Sequence, residues 1–198
     1  MNIAEEIRKI KQELRLSMNG VASAFMRENG LNYKLNFGVE IPRLQSIANE
    51  FQPDHDLAQA LWKENIRECK ILAGMLQPVD SFYPEIAEIW IENMPNAEIA
   101  QLTVINLFQK LPYASEKVFQ WIAREEEMFQ LCGYLLLARL FMKGAPLNEQ
   151  AENEFLDQAE ANMHCATGAL KKAIANALIK YEEINEQRSN DIEKILQI

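Results

Sequence analysis

Glycine and proline are scarce, seven of each among 198 residues. That scarcity excludes a collagen-like or low-complexity chain. Runs of strand formers are missing, whereas Leu, Ile, Ala, Glu, Lys, Gln and Met dominate and favour helix. The three cysteines, Cys69, Cys132 and Cys165, are an odd number with no close pairing. They argue against a disulfide framework and for a reducing cytoplasm. Long apolar runs are absent as well: the longest nearly uncharged stretch, Leu131 to Ala138, falls far short of the roughly 20 residues that span a bilayer. The acid-bearing first residues, MNIAEEIRKIKQELRL, read as neither a signal nor a transit peptide. A cytoplasmic protein without membrane contact is expected.

Positive charge is also short. Lys and Arg number 20 against 29 Asp and Glu, a net charge of −9. Cut at positions 50, 100 and 150, the chain gives successive sums of +1, −6, 0 and −4. A nucleic-acid binder concentrates cations, because phosphate neutralisation and counterion release carry its affinity. Duplex DNA is therefore disfavoured. With 48% hydrophobic residues, folding buries roughly 70% of the chain's accessible surface. A single domain over residues 1–198 is expected.

What the sequence does have is helical periodicity. Ile3, Ile7, Ile10 and Leu14 form the first stripe. Ser17 and Asn19 cap a second helix through Val21, Phe25 and Met26, closed by Asn29-Gly30. Phe37-Gly38-Val39 is a loop, and Pro42 opens a helix that ends before Pro53. Asp54 or Asp56 caps the next, Asn65 opens another to Gln77-Pro78, and stripes follow over Phe82–Trp90, Ala97–Leu111, Ala114–Ile122 and Met128–Phe141. The last third reads as Asn148 to about Met163, His164–Tyr181 and Asn185–Ile198. Eleven or twelve short helices result, as a bundle or as a stack of two-helix repeats. No repeat period decides between these.

The segment Gly38-Val39-Glu40-Ile41-Pro42-Arg43-Leu44-Gln45-Ser46-Ile47-Ala48, then Leu61-Trp62 with Glu68 six residues on, then Lys172-Ala173-Ile174, resembles the DNA alkylation repair family in order and spacing, roughly from Val21 to Tyr181. The resemblance implies an all-α solenoid of HEAT-like antiparallel helix pairs, and it points to glycosylases that release N-alkylated purines without drawing the base into a pocket. Active members carry a Trp-Asp-Leu-Val-Asp-like segment whose second acid stabilises positive charge on the sugar. Here that segment is Ala97-Glu98-Ile99-Ala100-Gln101. Ala97 replaces the aromatic, and Gln101, which has neither charge nor basicity, replaces the acid. Glu98 is the remaining candidate acid, but it points about 100° per residue away from the register of Gln101. The phosphate-gripping arginine pair is matched by Leu131 and Cys132, which offer no bidentate donors. The second aromatic wall is matched by Asn176.

The remaining constellations are weaker. Lys171 and Lys172 form a small basic spot that suits phosphate, with Glu182-Glu183 close behind. His164-Cys165 lacks metal-ligand spacing, so no metal is expected, nor any cofactor. Glu68 reads as an exposed partner for Arg67 or Lys70, the cysteines as core, and Trp62, Trp90 and Trp121 as inter-helix packing. Glu125-Glu126-Glu127 is a solvated helix start. The expected function is non-catalytic binding or scaffolding, with a concave face for a protein, peptide or small-molecule ligand. The alternative is a DNA glycosylase or DNA-lesion binder acting on N-alkylated purines.

Overall fold

Short amide and carboxylate side chains set many of the helix starts. In the computed structural model, which describes residues 2–31 and 33–198, Asn19, Asp54, Asn96 and Asn148 each accept a hydrogen bond from the backbone N–H three residues on, at 2.8 to 3.1 Å. Each satisfies a donor that the first helical turn leaves orphaned. Twelve α-helices are present among the described residues: α1 (Ile3–Leu16), α2 (Gly20–Glu28), α3 (Ile41–Ala48), α4 (His55–Lys63), α5 (Arg67–Leu76), α6 (Pro84–Glu92), α7 (Ala97–Asn106), α8 (Ala114–Ile122), α9 (Glu127–Met142), α10 (Glu149–Cys165), α11 (Gly168–Glu182) and α12 (Ser189–Leu196). No strand occurs among them; an isolated bridge joins Leu35 and Ile66. No helix of the described residues is long and apolar enough to cross a membrane.

The helices gather into two compact units, Met1–Leu107 and Phe108–Ile198. In the first, α5 is the centre and packs against α3, α4 and α7. Nine of its ten residues are buried, among them Arg67, Glu68 and Lys70. Trp62 of α4 and Trp90 of α6 stack face to face, with centroids 4.1 Å apart and planes 1° from parallel. The Trp90 Nε1–H donates to Gln59 at 3.1 Å. Lys70 sends its Nζ to the Trp62 carbonyl at 2.7 Å and stands 4.6 Å from the centre of that indole. Burial lowers its pKa from the ordinary lysine value, as desolvation of a cation does.

In the second unit α9 is the centre, packed between α8 and α11. Gly133 makes the α8 contact possible: a Cβ there would lie 2.6 Å from Ile122 Cγ2 and 3.1 Å from the Ile122 nitrogen. Phe141, Phe155 and Tyr181 tie α9, α10 and α11 together through ring contacts of 4.8 to 5.4 Å. Beside them the buried Glu152 accepts hydrogen bonds from Tyr181, from Asn185 and, at 2.8 Å, from Arg188.

Several elements depart from the sequence expectation. The helix expected over Ala97–Leu111 stops at Asn106, where Leu107 leaves helical geometry (φ −128°, ψ −62°) and Phe108–Lys110 tightens into a 3₁₀ turn. Burial of Leu107, Phe108 and Leu111 outweighs the unbroken helical periodicity. The boundary expected near residue 164 lies at Ala166, in extended conformation before Thr167 and Gly168. Ser17 closes α1 rather than capping α2. On α2, Val21 and Phe25 are 82% and 65% exposed, and Ser23 is the helix's buried residue.

Candidate functional site

The candidate acid sits in the first unit, in the first turn of α7. Its environment begins at α5, where Arg67 and Glu68 are 2% and 0% exposed. Buried charges of this kind persist only when paired and hydrogen-bonded. Glu68 accepts from the backbone N–H groups of Phe37 and Val39 at 3.1 and 3.3 Å, and the Arg67 Nη1 donates to it at 3.2 Å. The same Nη1 donates to the Val39 carbonyl at 3.0 Å. Glu68 is therefore a buried anchor for the Phe37–Val39 loop, not the exposed partner that isolated helix carboxylates usually are.

The other edge of the Arg67 guanidinium is spent on Glu98. Its Nε lies 3.1 and 3.0 Å from the two carboxylate oxygens and its Nη2 lies 2.7 Å from Oε1. The Tyr33 hydroxyl also donates to Oε2 and lies 3.1 Å from Asn96 Oδ1. Burial alone would raise the Glu98 pKa, but the hydrogen bonds from Arg67 and Tyr33 and the Arg67 charge outweigh it and hold the carboxyl below its ordinary value. Burial first, then the bond to Glu98, push the Tyr33 phenol well above its usual range. A carboxylate already satisfied by a fork of donors is a poor proton acceptor.

Around Glu98, Ala97 is half-buried at the start of α7 and Gln101 is exposed one turn on. Gln101 thus presents an uncharged amide to solvent. Gly38, in the loop that Glu68 holds, has φ +71°, and a Cβ there would meet the Asn19 carbonyl oxygen at 2.2 Å and the Ser23 nitrogen at 2.7 Å. Only glycine permits this backbone angle without strain and lets α2 approach so closely.

In the second unit Leu131 and Cys132 are core residues of α9, 4% and 0% exposed. Burial pushes the Cys132 thiol well above its ordinary pKa. Neither side chain reaches solvent to meet a ligand. The outward edge of α9 carries Leu135, Arg139 and Met142 instead. Arg139, spaced i+4 from Leu135, gives Nε to Gln109 at 3.1 Å. It lies two turns along the helix from Leu131 and Cys132, the positions that the sequence aligns with the arginine pair. On α11 Asn176 is exposed, and Lys171 and Lys172 are exposed without an ion-pair partner among the described residues. Cys69 is buried, its thiol pushed by burial to about 12. Cys165, expected in the core, is exposed at the end of α10. There the helix stops, and His164 and Cys165 are exposed while Met163 stays in the core.

No curated protein matches the chain. A solved structure described as one of a new family of proteins related to the HEAT-like repeat DNA glycosylases, with affinity for branched DNA structures, superposes with a TM-score of 0.82 at 17% identity. The alignment covers 95% of this chain and 80% of that one. At that identity the likeness shows the fold, a HEAT-like helical repeat. A sequence model of the DNA alkylation repair enzymes matches residues 10–191, nearly the whole length, and the chain belongs to the DNA alkylation repair family.

Proposed function

We propose that this protein is a non-excising member of its family, one that binds a partner without hydrolysing an N-glycosidic bond. The observation that carries this reading is the state of Glu98. It is the sole acid of the 97–101 segment, and its oxygens are committed to Arg67 and Tyr33. Stabilising an oxocarbenium-like sugar needs an anion aimed at the site of developing charge. Gln101 supplies none.

The charge of the chain favours a protein, peptide or small-molecule partner over duplex DNA. The first unit has ten Lys and Arg against fifteen Asp and Glu, the second ten against fourteen, so they carry −5 and −4. The cysteines, none in a disulfide, support a reducing cytoplasm as its compartment.

The test is base release from a duplex containing an N-alkylated purine. Release by the protein should not exceed the spontaneous rate. Release above it, lost in Glu98→Gln protein that remains folded, would overturn the proposal.

A second reading is favoured by the fold likeness to a protein with affinity for branched DNA. On this reading Lys171 and Lys172 touch phosphate. A four-way junction titrated across a salt series should then bind more tightly than duplex, and the double Lys→Ala variant should flatten the salt slope by about two phosphate contacts. Equal and salt-insensitive binding of both DNAs would remove the reading.

A further inference from the structure

Asparagine followed by glycine occurs at both ends of α2: Asn19-Gly20 at its start and Asn29-Gly30 at its close. This dipeptide has a covalent chemistry of its own. Glycine has no Cβ, so its backbone nitrogen swings with little hindrance onto the carboxamide carbon of the preceding side chain. Closing that five-membered ring requires the peptide plane between the two residues to turn. All four residues are exposed, so access does not separate the two pairs. What separates them is how firmly each plane is held.

At the start of α2 the plane is clamped. Asn19 Oδ1 accepts from the Ala22 N–H at 3.0 Å, the Asn19 N–H donates to the Phe37 carbonyl at 2.9 Å, and the Asn19 carbonyl accepts from the Ser23 N–H at 3.0 Å. Gly38 packs on that same carbonyl, so closely that a Cβ on it would lie 2.2 Å from the oxygen. Turning the plane breaks the cap, the first helical bond and the Gly38 contact together. At the other end the hold is slight. The Asn29 Nδ2 donates to the Phe25 carbonyl at 2.8 Å and the Gly30 N–H to the Arg27 carbonyl at 3.1 Å. No backbone hydrogen bond ends on the Asn29 carbonyl among the described residues, and nothing lies within 4 Å of where a Gly30 Cβ would stand. Last turns of helices open at small cost, and opening this one frees the plane.

We propose that Asn29 is a site of spontaneous deamidation and that the fold protects Asn19 from the same reaction. Hydroxide removes the Gly30 amide proton, and the nitrogen attacks Asn29 Cγ. The Cγ–Nδ2 bond breaks, and Nδ2 takes up a proton and leaves as ammonia. Water then opens the succinimide at either carbonyl, giving aspartate or an isoaspartyl linkage whose backbone runs through Cγ. Either product puts a carboxylate where the Asn29 amide donated to the Phe25 carbonyl, at the negative end of the α2 dipole. It also adds one negative charge to the −9 of the chain. The isoaspartyl form inserts an extra backbone atom beside the bond from the Leu31 N–H to the Met26 carbonyl, 3.0 Å long. The end of α2 therefore carries a slow, one-way charge switch, whether or not the protein excises bases.

Peptide mapping by mass spectrometry tests it, on the full chain aged in mildly alkaline buffer at physiological temperature. Conversion reads as a gain of about 1 Da, and isoaspartyl methyltransferase labels the rearranged product. In the folded protein the Asn29 peptide should convert at least about tenfold faster than the Asn19 peptide. In concentrated urea, where neither plane is held, the two should convert at similar rates. Asn29→Asp, which copies the product, should speed hydrogen exchange at the Gly30 and Leu31 N–H groups about fivefold and leave α5 unchanged. Absence of conversion at Asn29, or equal rates at the two sites in the folded chain, would overturn the proposal. So would a preference for Asn29 that persists undiminished in urea, since the fold would not be its cause. Unaltered exchange in Asn29→Asp would overturn the switch.

Discussion

Arg67 divides its donors between two acids with different tasks. Toward Glu68 it helps hold the Phe37–Val39 loop, and toward Glu98 it neutralises the one carboxylate of the 97–101 segment. Removing one partner of a buried pair leaves the other charge uncompensated. Glu98→Gln should therefore destabilise the protein by about 2 kcal/mol, and Arg67→Met, which strands Glu68 and Glu98 together, by about 3 kcal/mol or more. Urea titration measures both, and a Glu98→Gln protein as stable as the parent would show the pair to be ornamental. The sequence made Glu98 visible as the remaining acid, because a carboxylate is legible by type. It did not show that Arg67, thirty-one positions earlier, takes that carboxylate, since only the packing of α5 against α7 brings the two together. Glu68 was misjudged for the same reason: isolated helix acids face solvent by habit, and the two backbone N–H groups that bury this one lie in a loop.

Among the elements, the α8–α9 seam depends on the absence of a side chain. Gly133→Ala would drive a methyl into Ile122 and should cost about 2 kcal/mol, a fall of roughly 4–8 °C in Tm for a chain of this size. Gly20→Ala, with nothing within 4 Å of the new methyl, should be neutral or slightly stabilising in the same calorimetric comparison. Equal effects at the two positions would refute the packing account. Helix existence and most helix starts were legible from periodicity and caps such as Asn19 and Asp54. The end of α7 was not, because burial of Leu107 and Phe108 decides it rather than a Gly or Pro. The outward face of α2 was also hidden, since an amphipathic stripe has the same spacing whether its apolar side meets a core or solvent.

For the whole molecule, acid and alkali should act through different groups. Glu98 and Glu152 have folded-state pKa values below the ordinary carboxylate value. Burial of Glu98 is outweighed by Arg67 and Tyr33, and Glu152 is lowered chiefly by its hydrogen bond from Arg188. Their stabilisation is complete above the unfolded carboxylate range near pH 4.5 and is lost as pH falls through the lowered folded values. At the other end, burial raises Cys69 and Tyr181 to about 12 from 9.0 and 10.0. Their contribution is intact below pH 9 and is lost as pH climbs from there toward 12. Stability measured by urea titration should be flat through neutrality and decline on both sides. A maximum at pH 4 would contradict the assignment. We further propose that the 198 residues melt as one cooperative domain, so that the calorimetric and van 't Hoff enthalpies agree.

The parallel indoles of Trp62 and Trp90 lie in the first unit, while Trp121 sits alone among the tryptophans of the second. Two chromophores stacked at 4.1 Å couple electronically, and a solitary one does not. The protein thus carries a built-in optical gauge for each half of its chain. A near-ultraviolet couplet that fades in step with the shift in tryptophan emission would fit a single cooperative melt, and one that fades first would count against it, with no label attached.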